Sequence, residues 1–358
     1  MTLEIRNLHK RFGSNPALQG MDFTLTDGEL FGFVGSNGAG KTTTMRIMLG
    51  VLNADSGEVL LNGTTPTFAQ RATFGYMPEE RGLYPKMKVA DQLIYFAQLR
   101  GLSSEQARKS MEYWTDRLGV GERRGDVVQA LSLGNQQRVQ LAAALVHNPS
   151  IMVLDEPFSG LDPLAVSAMS DVLREKTAQG ATVVFSSHQL DLVERLCDRV
   201  GICAHGKMVA EGSIDELRTT PTAMYDVETG VDSRTLHGVL TGTAFANSDS
   251  VGSHTLGTQL PPMKTDILDS HTVRVELPSG VSDQDLLRAA LTVGAVHRFQ
   301  QHKPHLVDLF ADVVNSDEPT NASANDSRGS RAKTRKRPKK TGGLFSAGTG
   351  KHREEGGK

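Results

Sequence analysis

Apolar residues follow two rhythms along the first 218 positions. The runs "GELFGFVG", "SIMVLDEP" and "ATVVFSSH" are apolar at nearly every position, as strands buried on both faces are. From Leu93 to Leu118 the spacing becomes helical, through Leu93, Phe96 and Ala97 and then Met111, Trp114 and Leu118. The first part of the chain is therefore expected to be α/β: a mostly parallel sheet flanked by helices, with a helical insert over about residues 85–150. After Arg218 the pattern weakens. "HTVRVELP" alternates like a strand, while "SDQDLLRAALTVG" and "PHLVDLFADVV" read as helices, the first with a serine cap. Residues 219–314 are expected to form a small α+β accessory domain. Residues 315–358 hold too few apolar side chains to fold alone and are expected to be disordered.

Composition changes this picture in two places. The 358 residues and 38% hydrophobic content suit a globular chain of two domains, and no window reaches the roughly 18 consecutive apolar residues of a membrane span. The start, "MTLEIRNLHKRF", lacks the layout of a secretory signal, and the two cysteines, Cys197 and Cys203, are expected to be reduced thiols. The net charge of −2 conceals an asymmetry, because 11 Lys and Arg face 3 Asp and Glu from Pro319 onward. A basic tail follows an acidic body. "RGSRAKTRKRPKK" is read first as a solvated end and second as a contact for anionic lipid. It lacks interleaved aromatic residues, so no specific nucleic-acid binding is expected.

The chemistry gathers in three places. "GSNGAGKTT" lies between a strand-like run and a helix-like one, the setting of a phosphate-binding loop. Gly35, Gly38 and Gly40 would bend the backbone so that the N–H groups of Ser36, Asn37, Ala39 and Thr43 also face phosphates. Lys41 would reach the β- and γ-phosphates, and the Thr42 hydroxyl would ligate Mg²⁺. In "IMVLDEP", Asp155 would hold the metal through water and Glu156 would orient or deprotonate the attacking water. His188 closes "TVVFSSH", where it is either a structural histidine or a group facing the γ-phosphate.

These elements, with "LSLGNQQR" just before "IMVLDEP" and "SGLD" just after it, resemble the nucleotide-binding subunit of an ATP-binding cassette (ABC) transporter over residues 1–218. No Asn-Lys-x-Asp motif for reading guanine is present. The resemblance implies two copies placed head to tail around two ATP molecules. Ser132 and Gly134 would then contact the γ-phosphate across the dimer, and Asp162 would link the two sites. Phe12 matches the aromatic that stacks on adenine, although a core phenylalanine is an equal reading. The family also implies a separate integral-membrane permease and a place on the inner face of the cell membrane. "GYMPEERGLYPKMKV" is similar to the corresponding segment of bacterial sodium-efflux and drug-resistance exporters.

Two departures from the family pattern stand out. In "LSLGNQQR", Leu133 and Asn135 replace a glycine and a glutamine, while Ser132 and Gly134 are kept. Glu79 stands where the family has a glutamine near Mg²⁺, and a carboxylate there is expected to keep the metal role while altering coupling. The expectation is a working ATPase. The alternatives are a soluble ABC ATPase outside transport and a low-turnover ATP-binding regulator.

Overall fold

The computed structural model describes residues 1–80, 82–219, 222–242, 261–303 and 305–307. The strands β1 (Leu3–Phe12) and β2 (Asn15–Leu25) form an antiparallel hairpin, and β3 (Leu30–Gly35) follows, buried at all six positions. The chain continues through α1 (Lys41–Met48), β4 (Ser56–Leu61), α2 (Phe68–Arg71) and β5 (Gly75–Met77). The insert supplies α3 (Val89–Leu99), α4 (Ser104–Arg117) and α5 (Leu133–Leu145). Next come β6 (Ile151–Leu154), α6 (Pro163–Ala178), β7 (Thr182–Ser187), α7 (Leu190–Leu196), β8 (Arg199–Ala204), β9 (Lys207–Ser213) and α8 (Ile214–Leu217).

Six strands form the central sheet in the order β5-β6-β7-β3-β8-β9, parallel except for the β8–β9 pair. Successive side chains on a strand point to opposite faces, and here they sort into two cores. Leu30, Met152, Leu154, Val183, Phe185 and Val200 join a core with α3 to α7. Phe31, Phe33, Ile151, Val153 and Val184 join another with Met45 and Met48 of α1 and with Ile5, Phe23 and Val59 of a separate antiparallel sheet, β2-β1-β4. That three-stranded sheet is absent from the sequence reading, and it changes the architecture: one face of the central sheet is covered by strands and α1, the other by helices.

The remaining described elements are β10 (Met224–Thr229), α9 (Ser233–Leu240), β11 (Lys264–Ile267), β12 (Thr272–Glu276), α10 (Asp283–Val293) and β13 (Val296–His302). Their sheet runs β11-β12-β10-β13, all antiparallel, which is the βαββαβ topology of a ferredoxin-like unit. Its own core holds Val227, Leu236, Val273, Val275 and Leu286. The strand and the capped helix expected in "HTVRVELP" and "SDQDLLRAALTVG" are both found. Most of "PHLVDLFADVV" and the whole basic tail lie outside the described residues. No helix among the described residues is long and apolar enough to cross a membrane.

Candidate functional site

Three loops converge because three neighbouring strands run parallel. The glycine-rich loop leaves the C-terminal end of β3, Asp155 and Glu156 follow β6, and His188 follows β7, which lies between the other two. Register brings the ends level, with Val34 opposite Ser187 and Leu154 opposite Phe185. The C-terminal edge of a parallel sheet is where such folds bind ligands.

In the loop, Gly38 and Gly40 adopt φ of +85° and +102°, and Gly40 caps α1. Gly35 has a different reason to be glycine: a Cβ there would lie 2.5 Å from the Cys203 carbonyl oxygen on β8. Ser36, Asn37 and Gly38 are exposed, Gly35 and Ala39 are buried, and Thr42 and Thr43 are half-buried in the first turn of α1. The helix N-terminus supplies free N–H groups and a positive potential to this opening. Lys41 is 7% exposed, and its Nζ donates to the carbonyls of Gly35 (2.6 Å) and Ser36 (3.3 Å). No carboxylate pairs with Lys41 among the described residues, so its Nζ suits an anionic ligand.

Asp155 is buried, and its Oδ2 has no hydrogen-bond partner among the described residues. A buried carboxylate oxygen in that condition fits a cation or a cation-bound water, so Asp155 and Thr42 suit the Mg²⁺ that ATP chemistry uses. Glu156 sits at φ +50°, a left-handed conformation that costs a non-glycine residue about 1–3 kcal/mol. Its Oε2 lies 2.9 Å from His188 Nδ1. The structure thus joins His188 to Glu156 at the sheet edge. Sequence reading missed the group beneath them, the buried Ser186, whose hydroxyl touches both Asp155 and Glu156. Its only signal was the pair of serines in "FSSH".

The remaining expected residues lie on other elements. Phe12 is 52% exposed, with Lys10 Nζ 5.8 Å from its ring centre, so the core reading of Phe12 is wrong. Ser132 caps α5 through a long 3.5 Å bond from Asn135 N–H. At Gly134 φ is not positive, and an added Cβ would make only an ordinary 3.4 Å contact with Leu161, so local folding does not demand glycine there. Asp162 caps α6 by accepting the Ala165 N–H at 2.8 Å. Glu79 is exposed and lines an open cleft of about 650 Å³ with Glu80, Leu133, Gln137 and Ser159. The loop that carries it is held to α5 by Gln140 Nε2, which donates to the Pro78 carbonyl at 2.5 Å.

Comparisons with known proteins point to one family. A family model described as "ABC transporter" matches residues 18–159. The chain is similar to an uncharacterised ABC transporter ATP-binding protein of Methanocaldococcus jannaschii, 43% identical over 215 residues covering 60% of this chain and 79% of that protein. It is also similar to the Nod factor export ATP-binding protein I of Burkholderia lata, 34% identical over 263 residues covering 71% and 84%. Among solved structures, an ATP-binding subunit of an ABC transporter superposes with a TM-score of 0.57 at 30% identity, covering 61% of this chain and 92% of that one. The chain belongs to the ATP-binding subunits of ABC transporters, the ABC ATPase family.

Proposed function

We propose that this chain is a Mg²⁺-dependent ATPase that powers a separate membrane permease, and that the transporter is an exporter. The observation that carries the reading is the set of loops on the adjacent strands β6, β7 and β3, with Asp155 Oδ2 unpartnered and Glu156 bonded to His188. Bound Mg²⁺ supplies charge neutralisation of the phosphates. The loop N–H groups and Lys41 hold the triphosphate, Thr42 and Asp155 hold the metal, and Phe12 stacks on the adenine. Glu156 Oε2 takes a proton from the attacking water, and His188 holds the glutamate in place.

Dimerisation has its own support. Leu133 and Leu164 are 43% and 80% exposed beside Ser132 and Asp162, apolar side chains that a second copy placed head to tail would cover. In that arrangement Ser132 and the open N–H of Gly134 reach the partner's nucleotide. The permease is proposed to dock beyond Glu79, where Tyr84, Tyr95 and Phe96 form an aromatic cluster with centroids 5.8–6.4 Å apart. Tyr84 and Leu99 are exposed there. Export is supported by the name of the Burkholderia relative. Residues 219–314 are proposed as an accessory domain, and the basic tail as a lipid contact.

Hydrolysis by the purified chain tests the reading. Glu156→Gln should abolish turnover, by about 10²–10⁴-fold as for loss of a general base, while ATP binding persists and light scattering shows a trapped dimer. Wild-type rates in the variant would overturn the assignment. A wild-type chain that binds ATP without hydrolysing it would favour the regulator.

A further inference from the structure

Asp155 and Glu156 have different tasks in the proposed mechanism, and a single side chain from another strand touches both. Ser186 lies in β7, fully buried, one residue beyond the register partner of Leu154. A serine hydroxyl has one proton to give and lone pairs to accept with. Ser186 Oγ gives its proton to Asp155 Oδ1 at 2.6 Å and accepts the Glu156 N–H at 2.8 Å.

Both contacts have geometric consequences. Donation to Oδ1 pins the carboxylate in one rotation and leaves Oδ2 as the unpartnered oxygen. Acceptance from the Glu156 N–H anchors the peptide at the point where the backbone enters φ +50°, the turn that carries the Glu156 side chain towards His188. Without the hydroxyl, a buried N–H and a buried carboxylate oxygen would both lose their partner, and neither the turn nor the rotation would be held. Resting on the ATPase reading above, we infer that Ser186 is a positioning residue that sets the metal-facing oxygen of Asp155 and the left-handed turn of Glu156 together. It touches neither substrate nor metal, and acts through the two carboxylates.

Threonine and valine have nearly the same shape and differ by the hydroxyl, so Ser186→Thr and Ser186→Val share any cost of the added bulk. In the full-length chain, Mn²⁺ binding in the presence of a non-hydrolysable ATP analogue is read by electron paramagnetic resonance. Nucleotide affinity in EDTA, kcat and KM are measured alongside. Ser186→Val should weaken Mn²⁺ binding and lower kcat, each by about 10–100-fold as for loss of a group orienting a metal ligand, with metal-free nucleotide affinity unchanged. Ser186→Thr should retain both. Ser186→Val indistinguishable from Ser186→Thr in either readout, whether the two are intact or impaired, overturns the assignment of Ser186. A wild-type chain that binds no ATP overturns the reading beneath it.

Discussion

Glu156 shows how much one residue's chemistry depends on its backbone. Its sequence neighbours announce a carboxylate pair after a buried strand, but the φ of +50° and the bond to His188 exist only once β7 lies beside β6. Two other groups at this scale lie outside the proposed mechanism. Burial pushes the Cys203 thiol, beside the glycine-rich loop, up to about 12, so it is an inert packing residue at neutral pH. His147, after α5, is pushed from the ordinary 6.5 down to about 4, first by burial and then by the Arg100 guanidinium. A depressed folded value means that the unfolded chain binds this proton first as pH falls, so stability is full above about 6.5 and drains away towards 4. His147→Leu should therefore flatten the acid limb of stability between those values; urea midpoints measured from pH 7.5 to 4 with an unchanged slope would contradict this.

Helix caps are encoded locally, because capping is an exchange of hydrogen bonds between near neighbours. Ser103 with Gln106 and Ser282 with Asp285 form reciprocal capping boxes that can be read from sequence alone. Asp162 also caps a helix, α6, with proline following it, and this local duty stands beside its proposed role between two cassettes. Asp162→Ala should cost about 1 kcal/mol, a fall in Tm of roughly 2–4 °C, while Asp162→Ser keeps the cap and the Tm. Equal melting of the two variants would show that the cap is unimportant. The strands β1, β2 and β4 were illegible for an equally local reason. Their pairings carry register shifts after Ile5, Arg6, Leu8 and Lys10, which break the alternation of apolar positions that sequence reading relies on.

At the scale of the whole molecule, the chain beyond β13 rejoins the cassette at a charged junction. Glu194 of α7, 11% exposed, pairs with Arg218 and accepts from the Leu306 N–H at 3.3 Å, with His305 Nδ1 also 3.3 Å away. Leu306 itself is buried in the same core as Leu192 and Leu196, so the chain returns to the cassette after β13. Glu194→Ala should destabilise the protein by about 1–3 kcal/mol through these lost charged hydrogen bonds, read as a lower urea midpoint; no change would show that the junction is held by Leu306 alone. Buried strands, the phosphate loop and the carboxylates after β6 are legible before folding, because runs, glycine spacing and motif order are properties of neighbours along the chain. The exposure of Phe12, the place of Ser186 against both carboxylates and the second sheet over one face arise on folding. Each of these depends on strands brought together from distant parts of the sequence, and the hydrogen bonds and burial that result have no counterpart in local pattern.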